Sequence, residues 1–437
     1  MQQNLVPPDV PTYAVPQENL TPVNNYLQTM ANIPPSRMFL INKALKVYTE
    51  KYPNSPIFDA SQGDGGASLP GIPKEILEIA AQKQIEHGTA YDMPFGTDAY
   101  RKCIIEKYWQ LDSDLGIGPA NVIGAQGGRD ALMKAYQAML ALGHGRIGDA
   151  IIVSRVPWIS YNWGPYGIGA NVMWAPGKPE EGWAYSEDSI KECVRFAEKS
   201  GRKIAGLVIT CPDNPTGLTI TPERQAALAK TALEAGVAFV LFDWMYHFVT
   251  DEQPMNINTF LRMFTPEERS RLVFLDGITK SLGGSNIRNS HLIANDKFIS
   301  YIVARASHTV MPSFYSLAVA MTAYEMGYAK ASRTIVEPTN ASRKVLKEFL
   351  QKHNFTHIMG KGYYAFIHVG DWLKARGWED TEPLGQYLAE EVGVAVVPGV
   401  HFSPYGREWV RFSYATPVER TLGAAQRLLE GLEALKK

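Results

Sequence analysis

The stretch Arg271-Leu272-Val273-Phe274-Leu275-Asp276-Gly277-Ile278-Thr279-Lys280 passes from an unbroken apolar run into a carboxylate, a glycine and a lysine. A run that is apolar throughout, rather than alternating, suits a strand covered on both faces of a parallel sheet. In such sheets ligands sit outside the carboxyl ends of the strands, so Lys280 stands where chemistry is expected. A lysine at that mouth, with Arg288 eight residues beyond it, can have a depressed pKa and form a Schiff base with a carbonyl compound.

Outward from this run, Ala150–Ser154, Ala205–Thr210 and Ala238–Asp243 have the same texture. Between and before them the 3.6-residue period predicts helices near Pro73–His87, Asp98–Trp109, Arg129–Leu142, Ser186–Ser200 and Pro222–Ala235. The alternation predicts an α/β fold with a large, doubly wound, mainly parallel sheet. After about Tyr328 a long helix near Ala331–His353 is followed by strand-like Tyr363–Val369, Val394–Val397 and Val410–Tyr414, a helix near Leu384–Val392 and a last helix from Pro417. That texture predicts a smaller α+β domain. Seven prolines between Pro7 and Pro35 leave the first residues little capacity for regular structure. The expected division is a proline-rich arm at 1–35, a large domain at 66–328, and a small domain made of 36–65 with 329–437. A helix over Ser36–Lys51 leads into the glycine-rich loop 61–66, which suits close approach to a ligand.

The chain has 437 residues, 45% of them hydrophobic and 20% charged, enough for two cores. Its 43 Lys and Arg against 44 Asp and Glu leave a formal charge of -1, so no bulk field attracts nucleic acid or an anionic membrane. Three widely spaced cysteines suggest neither a disulfide framework nor a metal site. No apolar run reaches the roughly 18 residues of a membrane span, and the first residues lack a signal-peptide pattern. These features predict a cytoplasmic protein.

Three further strand ends carry polar residues. Gly127-Gly128-Arg129 opens a helical run and offers free backbone N–H groups to an anion. Asn214 follows the Gly206–Thr210 strand and is held out of helical geometry by Pro215. Asp243 ends its strand with Tyr246 three residues on, as a helix cap or as the partner of a cationic ring nitrogen.

As a spaced set, Tyr91-x4-Gly96, Gly127-Gly128-Arg129, Trp158-Ile159-Ser160-Tyr161, Asn214-Pro215-Thr216-Gly217, Asp243-x2-Tyr246, Lys280-x7-Arg288 and Arg411-Phe412-Ser413 resembles the fold-type I, pyridoxal-phosphate-dependent class I/II aminotransferases, the aspartate aminotransferase-like group. The resemblance runs from about Gly63 to the C-terminus. It implies pyridoxal 5′-phosphate bound to Lys280 as an internal aldimine, with Lys280 then moving the proton between substrate and cofactor. Asp243 would pair with the pyridine nitrogen, Asn214 and Tyr246 with the phenolic oxygen, and Trp158 would stack on the ring. Gly127, Gly128, Arg129, Thr279 and Arg288 would surround the phosphate, and Tyr91 would reach it from the other subunit of a homodimer. Gly63, Asn214 and Arg411 would hold the substrate carboxylate. The implied reaction is a ping-pong exchange of an amino group between an amino acid and a 2-oxo acid. A lyase or oxidase acting on an amino acid is the alternative, because fold and cofactor do not fix which bond breaks. A ligand-sensing regulator would need a basic winged-helix segment that the arm does not offer.

The pattern departs from the family in two places. The usual serine three residues before the lysine is Gly277, and Asn286-Ile287-Arg288-Asn289 lacks the glycines that flank the clamp arginine. Thr279 or Ser281 is the expected substitute donor. Arg129 is the nearest partner for a dicarboxylic substrate, while Tyr91, Phe95, Trp158, Tyr161, Trp163 and Trp244 equally suit an apolar or aromatic one.

Overall fold

The computed structural model describes residues 37–436, so the expected arm at 1–35 lies outside the described residues. Its strands are β1 (Phe58–Asp59), β2 (Val122–Ala125), β3 (Ala150–Val153), β4 (Asn171–Trp174), β5 (Ile204–Thr210), β6 (Phe239–Asp243), β7 (Leu272–Gly277), β8 (Ser290–Ile293), β9 (His357–Met359), β10 (Tyr364–His368), β11 (Val394–Ala395), β12 (Val397–Pro398) and β13 (Trp409–Ser413). Seven of them form one sheet in the order β2-β8-β7-β6-β5-β3-β4, in which β8 alone runs against its neighbours.

Alternate residues of the central strands feed two cores, because successive side chains point to opposite faces. Ile152, Leu207, Val240, Phe242 and Phe274 pack on one face with the helices Glu187–Lys199, Pro222–Glu234 and Phe314–Glu325. Ile151, Val208, Leu241, Val273 and Leu275 pack on the other with Gly128–Gly143 and Asp296–Ala306. Burial on both faces explains the unbroken apolar runs, and the fold is a doubly wound, mainly parallel α/β architecture.

A second, antiparallel sheet has the order β12-β13-β10-β9. Ile367, Val410 and Phe412 from it close a separate core against Leu346 and Leu350 of the helix Arg333–Lys352 and Leu428 and Leu432 of Val418–Leu435. The expected single strand Val394–Val397 is divided at Val396. Val394 pairs with Phe58 of β1, and Val397 pairs with Arg411 of β13 in the other sheet.

The helix expected at Asp98–Trp109 changes character midway. It is α-helical over Asp98–Cys103 and π-helical over Ile104–Tyr108. Among the described residues, no helix is long and apolar enough to cross a membrane.

Candidate active site

The carboxyl ends of β2, β3, β5, β6 and β7 lie along one edge of the large sheet, and the residues that follow them turn into one cavity of about 1270 Å³. Because β8 is antiparallel, its beginning lies at the same edge, which brings in Arg288 from just before it. Gly63, Gly128, Arg129, Trp158, Asn214, Asp243, Tyr246, Thr279, Lys280, Arg288 and Arg411 all line this cavity. Gly127 adjoins it. Tyr91 does not line it and is 93% exposed.

Lys280 follows β7 and donates from Nζ to the carbonyl of Gly63. Its ammonium lies 5.7 Å from the centre of the Tyr246 ring. Asp243, the last residue of β6, is buried and accepts hydrogen bonds from the Tyr161 hydroxyl (2.6 Å) and the Met245 N–H (3.1 Å). Burial raises its pKa, opposed by those donors and by Lys280. A buried carboxylate with hydroxyl and amide partners but no ion pair among the described residues suits a cationic N–H.

At the other end of the cavity the helix Gly128–Gly143 begins after Gly127, whose φ of +79° is open to glycine and strained for other residues. A Cβ on Gly127 would lie 2.4 Å from Nη2 of Arg288, so the glycine also makes room for the guanidinium. Arg288 itself has φ +61° and donates to the carbonyls of Ser285 (2.8 Å) and Gln126 (3.2 Å). Nearby, Thr279 Oγ1 is buried without a partner among the described residues. The first N–H groups of a helix lack intrahelical acceptors. Together with a guanidinium and an unused hydroxyl, they form a donor set suited to a phosphate.

The first of the two departures from the family pattern, Gly277, acquires a physical reason. A Cβ at Gly277 would lie 2.7 Å from the Asn289 carbonyl and 2.8 Å from Ser290 Cα, so the close approach of β8 leaves no room for a serine. Of the two expected substitute donors, Ser281 points away, bonded to the Tyr328 hydroxyl at 2.5 Å, and only Thr279 lines the cavity. Ser285 is committed to Asp64 at 2.8 Å.

Arg411, in the middle of β13, is 3% exposed. It donates from Nη1 to Asn214 Oδ1 (2.8 Å) and from Nη2 to the Ser61 carbonyl (2.8 Å), and its guanidinium lies 4.3 Å above the Tyr364 ring. Among the described residues its Nε has no partner, and no carboxylate is within ion-pair distance. A buried guanidinium without a counter-charge is costly, which marks the place of an anionic ligand. Arg129 is exposed, lies 5.6 Å over the Trp158 ring, and also makes no ion pair among the described residues. Although its side chain reaches solvent, partial desolvation by the cavity wall and the neighbouring Arg288 lower its pKa.

Two roles in the site are not legible in the sequence: Tyr161 is expected only as an aromatic suited to an apolar substrate, and Tyr364 is not singled out. Tyr161, which holds Asp243, stands within the quoted Trp158–Tyr161 segment, but its direction depends on the short helix Ile159–Trp163. Tyr364 bonds to Tyr246 through their hydroxyls at 3.0 Å. Its signal is the register of β10 with β13, where Phe366 faces Arg411 and Tyr364 is the diagonal neighbour.

The sequence pattern described as "Aminotransferase class I and II" matches residues 58–428. The aspartate aminotransferase of Geobacillus stearothermophilus is 25% identical over 373 residues, covering 84% of this chain and 91% of that one. Among solved structures, an aspartate aminotransferase from Thermus thermophilus with maleate superposes with a TM-score of 0.76 at 24% identity, covering 93% of this chain and 98% of the other. An aromatic aminotransferase from Pyrococcus horikoshii OT3 gives a TM-score of 0.75 at 21% identity, covering 90% and 99%. The chain belongs to the class I and II aminotransferases, a family that works through pyridoxal 5′-phosphate.

Proposed function

We propose that this aminotransferase carries pyridoxal 5′-phosphate on Lys280 and exchanges an amino group between an amino acid and a 2-oxo acid, each held by Arg411. The observation that carries the reading is the buried Arg411 guanidinium, without a carboxylate partner among the described residues, in the same cavity as Lys280 and Asp243. When bound, the cofactor supplies the electrophilic carbon through which the amino group passes and an electron sink for the charge left on the substrate Cα.

The remaining work falls to the chain. The backbone at Gly127, Gly128 and Arg129, with the Thr279 hydroxyl and the Arg288 guanidinium, would hold the phosphate, Trp158 would cover the ring face, and Asp243, oriented by Tyr161, would hold the ring N–H⁺. Asn214 and Tyr246 donate to the phenolic oxygen. With Asn214 Oδ1 committed to Arg411, its amide N–H groups remain for that bond. Arg411 grips the substrate carboxylate with its planar fork, assisted by Asn214 and by the backbone at Gly63. Fixing the carboxylate and the amino group would select which Cα bond is labilised, and so would favour proton loss over cleavage. Once the substrate amino group has displaced it from the cofactor, the Lys280 amine would be the base placed to hold the Cα proton.

A cavity wall of Leu132, Met133, Trp158 and Trp163, with the Arg129 cation at its edge, supports a substrate with an apolar body and an acidic end. The proposal includes a cytoplasmic homodimer in which Tyr91 reaches the neighbouring phosphate; its exposure in the single chain is compatible with that role. The division into a large domain at 66–328 and a small one at 36–65 with 329–437 is supported by the seven-stranded sheet lying within the first range and the four-stranded sheet, with its own core, within the second.

The test is a mass-spectrometric product assay with paired amino acids and 2-oxo acids. A new amino acid formed only when the oxo acid is present supports the reading. Release of ammonia without that dependence would shift it to a lyase or oxidase.

A further inference from the structure

Two of the residues assigned to the cofactor are each followed by a residue that points the opposite way, through the sheet edge into the core behind it. Lys280 is followed by Ser281, 1% exposed, and Arg288 by Asn289, 0% exposed. Behind the sheet each meets a tyrosine. Ser281 Oγ and the Tyr328 hydroxyl are 2.5 Å apart. The Tyr100 hydroxyl donates to Asn289 Oδ1 at 3.0 Å, with a longer contact of 3.3 Å to the Ser290 carbonyl. A third tyrosine, Tyr108, donates to Asp276 Oδ2 at 2.7 Å, four residues before Lys280. Asp276 also accepts from its own strand, at Gly277 N–H (2.6 Å).

These tyrosines come from outside the sheet. Tyr100 and Tyr108 stand on the α and π segments Asp98–Cys103 and Ile104–Tyr108, and Tyr328 begins the short helix after Phe314–Glu325. Two of them pack with Tyr324: Tyr108 lies 4.3 Å from Tyr324 and 4.8 Å from Tyr328, centre to centre. The π turn carries Tyr108 into this cluster, and such turns recur at functional sites. An apolar cluster would pack equally well. Hydroxyls aimed at residues adjoining Lys280 and Arg288 add direction to packing, because a hydrogen bond fixes geometry that area alone does not.

We propose that Tyr100 and Tyr328 are positioning residues, Tyr100 aiming the Arg288 guanidinium through Asn289 and Tyr328 aiming the Lys280 amine through Ser281. The proposal rests on the cofactor reading above, and it assigns the two tyrosines to different ends of the cofactor.

That division is what the experiment reads. Binding of pyridoxal 5′-phosphate and of pyridoxal, which lacks the phosphate, is measured by fluorescence quenching on the cofactor-free wild-type protein and on Tyr100→Phe and Tyr328→Phe, with thermal melts alongside. Loss of one hydrogen bond is expected to weaken binding about fivefold. For Tyr100→Phe the loss falls on the phosphorylated ligand alone; for Tyr328→Phe it falls on both ligands equally. If a phenylalanine variant does not fold, Asn289→Leu and Ser281→Ala break the same bonds from the other end. Unchanged binding in both variants, or losses that ignore the phosphate in both, would overturn the proposal, since a merely structural role gives that pattern. A wild-type protein that takes up neither ligand would instead sink the cofactor reading, and this proposal with it.

Discussion

Arg411 donates from Nη1 to Asn214 Oδ1 at 2.8 Å, joining the small antiparallel sheet to the loop after β5 across the cavity. One side chain thereby links the substrate carboxylate's proposed anchor to a proposed cofactor ligand. Replacing Arg411 by Met is expected to cut kcat/KM by about a hundredfold, from loss of roughly 3 kcal/mol of charge-assisted binding. The same change removes a buried cation that lacks a counter-charge, so the melting temperature of the cofactor-free protein should stay level or rise. Steady-state kinetics with a calorimetric melt checks both; a large fall in stability would mean that Arg411 is chiefly structural.

Asp213, beside Asn214, carries a pH signature. Burial pushes its pKa from 3.8 up to about 6, against hydrogen bonds from Thr216. Between those values the folded state binds more protons at this group than the unfolded state does, so its contribution to stability falls as pH rises. The gap in melting temperature between Asp213→Asn and wild type should therefore shift in favour of the variant from pH 3.8 to about 6 and then level off. A gap that is flat across that range would contradict the assignment.

At Gly277 the usual serine of the family cannot be restored without cost. A Cβ 2.7 Å from the Asn289 carbonyl must displace backbone, so Gly277→Ala should destabilise the protein by about 1–3 kcal/mol. Chemical denaturation measures this; a neutral substitution would mean that β8 yields easily.

Arg129 separates substrate classes. Without a carboxylate partner among the described residues, it is available to an acidic side chain, whereas the apolar wall is not altered by its removal. Arg129→Met is expected to lower kcat/KM for dicarboxylic amino acids about tenfold more than for aromatic ones, in line with the worth of one charged hydrogen bond. Equal losses would assign Arg129 to the phosphate alone.

Legibility followed the physics of each element. The long central strands were readable because both faces are covered, as in Leu272–Gly277. Strands β2, β4 and β8, each four residues long, carry Gly124, Asn171, or Ser290 and His291, and give no such run. The helix Phe314–Glu325 is apolar nearly all round, with nine consecutive buried residues from Ser316 to Tyr324, so it has no period to read. In the site, residues that directly follow apolar runs, such as Asp243 and Lys280, were visible from position alone. Tyr161 and Tyr364 were not, since their roles depend on where a short helix and a strand register aim them.

The central claim is that Lys280 carries a cofactor that gives up and regains an amino group. It is tested most directly by the visible absorbance of the purified protein loaded with pyridoxal 5′-phosphate, before and after an amino acid and then a 2-oxo acid. The band of the aldehyde form should disappear with the amino acid and return with the oxo acid, and Lys280→Ala should do neither. A band that no amino acid moves, or one that is lost with ammonia release and does not return, would contradict it.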